Sequence, residues 1–373
     1  MKKGRPEAAL TRTGALRGSG LVLVVLTAVV AFLVVRGAEV RHPASSPGPS
    51  PSSPGPSPSS PGGATEFGFN AGLRDSHSSS DVERFKANVD DLVANGQMWV
   101  RIGIASWVVS TGGSVDAITW SDQGLAAYDQ ALSYARRKGL HVFLVTSGAP
   151  DWAQNFAFAD YVKVSRDYWT LLAQRYRDDV DVWQVFNEAD GSDFRQFKPL
   201  GVNGLSSSYL QQLKVLIETA GAVIHRANPR VKVTTNASGY PMNDAEQASW
   251  FRYFDVLAPV LDMVTVDVYP GTDSGEIDKL GARIALLQAR YNKPVSIGEI
   301  GIPTCRGCSS ETDQRIYMPR VIASLKKGAP AVILYYLLQD TADDVGQEGG
   351  SFGIISDDGT HKPAYDAIMK AMR

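Results

Sequence analysis

The sequence predicts a (β/α)8 barrel of the TIM type, preceded by a transmembrane or signal segment and a disordered Pro/Ser-rich linker. Three observations lead there. From about residue 66 onward, β-forming apolar runs alternate strictly with amphipathic helical patterns, the signature of parallel βα units. The alternation completes eight pairs, the number at which such units close on themselves. Two of the apolar runs, Val182 to Phe186 and Pro294 to Gly298, give way abruptly to polar residues, as buried strands do where they reach the mouth of a barrel.

Taken in order, residues 1–20 form a basic tail, with Lys2, Lys3, Arg5, Arg12 and Arg17 against the single acid Glu7. Residues 21–36 hold the uncharged run LVLVVLTAVVAFLVV, closed by Arg36. No small-x-small cleavage pattern follows it, so it reads as an uncleaved signal anchor with the basic tail in the cytoplasm. Cleavage further along, giving a secreted protein, is the alternative. Residues 37–65 are dominated by Pro, Ser and Gly and contain a near-repeat of SSPGPSP. Such a stretch is too polar to pack a core and acts as a semi-extended spacer. The expected location is therefore the cell membrane, single-pass, with residues 66–373 as an extracellular, monomeric globular domain.

In that domain the expected strands are Phe67 to Leu73, Trp99 to Ile104, Leu140 to Thr146, Val180 to Phe186, Val231 to Thr235, Met263 to Val268, Val295 to Gly298 and Ala331 to Leu337. The helices between and after them are Ser80 to Ala94, Asp122 to Lys138, Tyr161 to Arg177, Ser207 to Ala227, Asp244 to Ala258, Glu276 to Tyr291, Thr312 to Lys327 and Pro363 to Met372. Val82, Phe85, Val89 and Leu92 give the first helix its apolar stripe, and Gly139 ends the second.

Composition excludes several roles. A formal charge of -2 with an isoelectric point near 6.2 supplies no basic field for nucleic acid. The stretch FGFNAGLR after the first strand has the wrong glycine spacing for a dinucleotide. Cys305 and Cys308 are the only cysteines; outside a cell a C-x-x-C pair closes a small disulfide loop, and without nearby histidine it does not complete a zinc site. No metal and no cofactor is expected.

The informative stretch is DVWQVFNEAD, Asp181 to Asp190, where a buried strand delivers Asn187 and Glu188. PVSIGEIGIP, Pro294 to Pro303, delivers Glu299 in the same way. If both strands belong to one parallel barrel, both carboxyls sit at one rim. Two carboxyls at one rim are what acid/base-plus-nucleophile cleavage of a glycosidic bond requires. Arg101, on the second strand, is a cation that would keep Glu299 ionised, and Tyr269 is placed to bond its other oxygen. Glu188 then remains as the proton donor.

With these positions the chain resembles the clan A glycoside hydrolases, closest to families 39 and 5. In that clan the acid/base glutamate follows an asparagine on strand four, and the nucleophile ends strand seven. Further matching pieces are WVRI at Trp99 to Ile102, GAPDWA at Gly148 to Ala153, DVYP at Asp267 to Pro270, and SFGIISDDGTHKPAYDAI at Ser351 to Ile368. The resemblance implies a retaining glycosidase acting on a β-linked polysaccharide or oligosaccharide, with Asn187 on the sugar 2-hydroxyl. It departs from the clan at two points. A Trp is common at the end of strand eight, where this chain has AVILYYLLQD, and a His is common two residues before the strand-six Tyr, where it has Asp267. Asp267 is accordingly kept as a candidate for binding a sugar hydroxyl or perturbing Glu299.

Each candidate also has a plain structural alternative. A lone Glu after a strand can be a helix-entry charge, Arg101 an ion-pair partner, and Tyr269 a packed rim aromatic. Trp152 and Trp107 are the expected sugar platforms, with helix packing as their alternative; Trp183 and Trp250 are assigned to the core. Long segments after strands three, four and eight suggest an open groove and endo action. The alternatives are an exo-acting β-xylosidase-like enzyme, or an idle barrel that binds cell-surface glycan.

Overall fold

The computed structural model describes residues 64–73, 77–146, 148, 150–190, 206–238, 244–341 and 350–373. The expected anchor and all but the last two residues of the expected linker lie outside these residues, and among the described residues no helix is long and apolar enough to cross a membrane.

The strands are β1 (Glu66–Asn70), β2 (Trp99–Ile104), β3 (Ser110–Ser114), β4 (Ala117–Trp120), β5 (His141–Thr146), β6 (Val182–Gln184), β7 (Lys232–Thr234), β8 (Asn236–Ala237), β9 (Val264–Val268), β10 (Val295–Ile300) and β11 (Val332–Tyr335). The α-helices are α1 (Ser79–Ala94), α2 (Ser106–Val109), α3 (Asp122–Arg137), α4 (Phe158–Arg175), α5 (Ser207–Ala227), α6 (Asp244–Leu257), α7 (Ser274–Tyr291), α8 (Glu311–Lys327) and α9 (Tyr365–Ala371). One parallel sheet runs in the order β7-β6-β5-β2-β1-β11-β10-β9-β8. Its two ends, β7 and β8, are halves of one segment that leaves the ladder only at Thr235. Across the seam, Asp262 N donates to Val233 O at 2.9 Å and Thr234 Oγ1 to Met263 O at 2.9 Å. The sheet thereby closes into the expected eight-unit barrel.

Strand parity divides the core in two. Trp99, Phe143, Val145, Val182, Met263, Val332 and Leu334 form one buried cluster inside the barrel. Hydroxyls of Thr234, Thr265 and Ser296 link neighbouring strands there at 2.8 and 2.7 Å. Alternate residues such as Phe69, Val100, Val142, Trp183, Val266, Ile297 and Ile333 belong to the larger core shared with the helices. Helix ends are fixed by side chains: Ser78 and Asp81 make a capping box on α1, and Ser310 and Asp313 one on α8, satisfying amides the helices cannot.

Two features differ from the sequence reading. The sequence reading assigns no element between Ile104 and Asp122, but the stretch contains α2 and an antiparallel β3–β4 hairpin. Its strands, STGGS and AITW, are too short and glycine-rich to show a period. The hairpin is held by tertiary contacts, with Trp120 stacked on Tyr168 at 5.6 Å and Ser110 bonded to Trp152. The fourth barrel strand is also shorter than expected, because the chain turns toward Asn187 after Gln184.

Gly68 faces Trp99 across the β1–β2 ladder, and a Cβ there would sit 2.1 Å from the Trp99 carbonyl oxygen. Backbone cannot yield as a side chain does. Gly68→Ala is expected to destabilise the fold by roughly 3 kcal/mol, read as a lower urea midpoint with an unchanged slope.

Candidate active site

The site lies at the ends of the barrel strands that precede the βα loops, and it begins with strand parity. On β2, Trp99 and Arg101 share the inward face; on β6, Val182 and Gln184 do; on β9, Thr265 and Asp267 do. The lower member of each pair helps fill the barrel, and the upper one enters the site. β10 does not follow this rule. Ser296 points inward and Ile297 outward, so regular alternation would turn Gly298 in and Glu299 out. The register against β9 shifts between Ile297 and Glu299, and this bulge re-aims Glu299 into the mouth.

Arg101 is the hub. It is 5% exposed, and its Nη1 lies 2.6 Å from Glu299 Oε1. Nη1 also donates to Asn70 Oδ1, Nε and Nη2 donate to Gln184 Oε1, and Nη2 donates to Asn187 Oδ1 at 2.8 Å. Tyr269 donates to the other oxygen of Glu299 at 2.6 Å. Burial opposes the charge of Arg101, but its surroundings, the Glu299 carboxylate foremost, outweigh it and hold the guanidinium above its ordinary pKa. Burial and then the Glu299 charge push the Tyr269 phenol well up, so it stays a donor.

Asn187 is exposed, yet its Oδ1 receives Arg101, Gln184 Nε2 at 3.0 Å and Asn236 Nδ2 at 3.2 Å. With its oxygen turned inward, its amide N–H groups are available to a ligand. Glu188 follows in the left-handed region at φ 47°, unusual for a residue with a side chain. Its N–H donates to Asn236 Oδ1 at 2.7 Å. Burial raises the Glu188 carboxyl to about 8, helped by the charges of Glu299 and Asp190.

One oxygen from each of Glu188, Asp267 and Glu299 lies within 4.8 Å of the others. Three carboxyls at this spacing can hold a metal ion, but Arg101 already supplies a positive charge against Glu299. Asp267 is fully buried; Asn236 Nδ2 donates to its Oδ2, while its Oδ1 has no hydrogen-bond partner among the described residues.

The structure thus brings Arg101, Asn187, Glu188, Asp267, Tyr269 and Glu299 into one cluster. Trp107 and Trp152 are not in it. Trp107 is 58% exposed on α2, whereas Trp152 packs edge-on against Phe156 and donates to Ser110 Oγ at 2.8 Å. Trp183 and Trp250 are core residues. Sequence reading missed Asn70, Gln184 and Asn236, which orient the charged residues. Their signal was an amide on the inward parity at the rim end of its strand. Cys305 and Cys308 are joined as a disulfide.

No protein-family profile and no curated protein matches the chain. Solved structures do. Fpglu1 from Fervidobacterium pennivoraus superposes with a TM-score of 0.62 at 15% identity, over 83% of this chain and 95% of the other. GH5_18 from Streptomyces cattleya, in complex with GlcNAc, gives 0.64 at 16% identity, over 83% and 80%. The exo-beta-1,4-mannosidase Op5Man5 from Opitutaceae bacterium strain TAV5 gives 0.62 at 14% identity, over 83% and 59%. At these identities what is shared is the barrel fold.

Arg101→Leu would leave the Glu299 carboxylate in its buried site with no cation. It is expected to cost about 3 to 5 kcal/mol, seen as a fall in thermal midpoint. Arg101→Lys is expected to recover only part of the loss, because an ammonium cannot span four acceptors as the guanidinium does.

Proposed function

We propose that the chain is a retaining β-glycosidase, with Glu188 as acid/base and Glu299 as nucleophile. The observation that carries this reading is the carboxyl spacing: oxygens of the two glutamates lie within 4.8 Å. Retaining glycosidases hold their carboxyl groups about 5 to 5.5 Å apart, whereas inverting enzymes need about 6.5 to 9.5 Å to admit a water molecule. The environments are also unequal. Glu299 is paired with a guanidinium and a phenol, while among the described residues no cation is bonded to Glu188, and such asymmetry assigns nucleophile and acid.

In the first step Glu299 attacks the anomeric carbon. The bond from that carbon to the leaving oxygen breaks, and the Glu188 proton goes to that oxygen. Glu299 is then a neutral ester, so the charge opposing ionisation of Glu188 is gone. In the second step Glu188 takes a proton from water, the oxygen of that water attacks the anomeric carbon, and the ester bond to Glu299 breaks. Asn187 N–H groups are assigned to the sugar 2-hydroxyl, Tyr269 to the nucleophile, and the exposed face of Trp107 to a more distant sugar. Fold neighbours titled β-glycosidase, β-glucosidase and β-galactosidase support the sugar-cleaving reading.

The finer assignments are a β-linked polysaccharide cut internally, and a domain held outside the cell by residues 21–36. The first is supported by the long segments after barrel strands four and eight. The second is supported by the apolar run and the proline-rich stretch that follows it. An idle glycan-binding barrel is less consistent with this site, because a binder gains nothing from burying mutually repelling carboxyls.

The test is reducing-end release by the full chain on a panel of β-glucans, xylans, mannans and galactans. Release is expected on at least one, with early product in the β anomer by proton NMR; the α anomer would overturn the retaining assignment. Glu299→Gln is expected to lower kcat by about 10^4-fold or more, and equal release from both proteins would remove Glu299 from the role. Because Glu188 must be protonated in the first step, kcat/KM is expected to fall above about pH 8, and Glu188→Gln should remove that alkaline limb with most of the activity.

A further inference from the structure

Asp267 has no role in the two steps above, yet it is the most enclosed charge-bearing group in the site. It lies on β9, 0% exposed, one strand from Glu299 on β10. Among the described residues its only hydrogen-bond donor is the Asn236 amide. Arg101, the cation of this cluster among the described residues, is committed to Glu299, Asn70, Gln184 and Asn187. Oδ1 of Asp267 has no donor. It sits so close over Gly298 that a Cβ there would approach it to 2.7 Å. A carboxylate oxygen that is buried, ionised and without a donor is costly. A carboxylic acid hydroxyl with a neighbouring carboxyl to accept from it is not, and an oxygen of Glu188 lies within 4.8 Å of one of Asp267.

We propose that Asp267 is a neutral carboxylic acid throughout the catalytic cycle, and that it positions Glu188 by donating its proton's hydrogen bond to the ionised form. This rests on the glycosidase reading above and deepens it. The charge balance is the argument. Before attack, Arg101 is positive, Glu299 negative, and Glu188 and Asp267 neutral. In the glycosyl-enzyme, Glu299 is a neutral ester, Glu188 is negative, and Asp267 is still neutral. The four groups sum to zero at both stages, and no proton leaves Asp267. An ionised Asp267 would instead leave one negative charge uncompensated in a closed site at each stage.

The groups facing Asp267 are Glu188 beyond the end of β6, Glu299 on β10, Arg101 on β2, Tyr269 at the end of β9 and Tyr253 on α6, with Asp190 behind Glu188. Burial, then the charges of Glu299 and Glu188, push the Asp267 carboxyl well above its ordinary range. Arg101 pulls the other way, as does the Asn236 amide bonded to Oδ2.

The test uses the full chain labelled with carbon-13 at the aspartate and glutamate side-chain carboxyls. The aspartate resonance missing from Asp267→Asn is expected to hold its protonated position between about pH 5 and 8; an ionised position at pH 7 overturns the proposal whatever the activity. The Glu188 titration is expected to stay near that of the parent in Asp267→Asn, whose amide also donates, and to move upward in Asp267→Val. A downward move in Asp267→Asn is the signature of a lost like charge and equally overturns it. On a nitrophenyl β-glycoside, Asp267→Val is expected to lower kcat and KM together about tenfold, with a burst of nitrophenol, because only the second step needs ionised Glu188. Asp267→Asn is expected to rescue most of that loss. A fall in kcat/KM with no burst would assign Asp267 elsewhere. If no glycoside is cleaved, the glycosidase reading fails, while the two titrations still decide the state of Asp267.

Discussion

The buried contact between Arg101 and Glu299 is the constraint on which the rest of this site depends. An ion pair taken out of water recovers little net stability unless its remaining hydrogen-bonding capacity is satisfied. Here Asn70 from β1, Gln184 from β6 and Asn187 just beyond it accept from the guanidinium, and Tyr269 donates to the carboxylate. Five segments of chain are thereby tied to one another at the barrel mouth. A hydrophobic plug would fill the same space at less cost, as the apolar cluster below it does. The polar layer therefore makes sense as a device that pairs one carboxylate with a cation and holds it in a known direction.

That fixed charge sets the behaviour of its neighbours. Glu188 is held opposite it by a left-handed turn and by Asn236, which bonds its N–H while also contacting Asn187, Gln184 and Asp267. A single asparagine on β8 thus sets the position of several groups on β6 and β9. The break at Thr235, which splits the fifth barrel strand, frees the ladder just before this asparagine. Local irregularity and site geometry coincide there, as they do at the bulge before Glu299.

Much of this could be read from the sequence, and for a definite reason. Barrel strands are buried on both faces, so DVWQVFNE and PVSIGE announce themselves as apolar runs broken by polar groups at the functional rim. Arg101 stood out in the same way, as a charge within WVRI. Asn70, Gln184 and Asn236 did not, because an amide at a strand end is common and its meaning depends on parity against strands far away in sequence. The β3–β4 hairpin was invisible for a different reason. Its order comes from contacts with Tyr168 and Trp152 rather than from its own residues.

The same parity logic explains why Gly298 and Asp267 belong together. Asp267 takes the inward position at the top of β9, and the inward position beside it on β10 is Gly298. Any side chain there would strike the Asp267 carboxyl or the Thr265 methyl. The missing side chain leaves room for Asp267 inside the barrel, and the bulge that follows gives Glu299 the next inward place. Two carboxyls from adjacent strands can then sit close together only if one of them carries a proton, since one guanidinium cannot balance both. Strand geometry thus leads to protonation state: a glycine and a bulge create the crowding, and the crowding selects which carboxyl stays neutral.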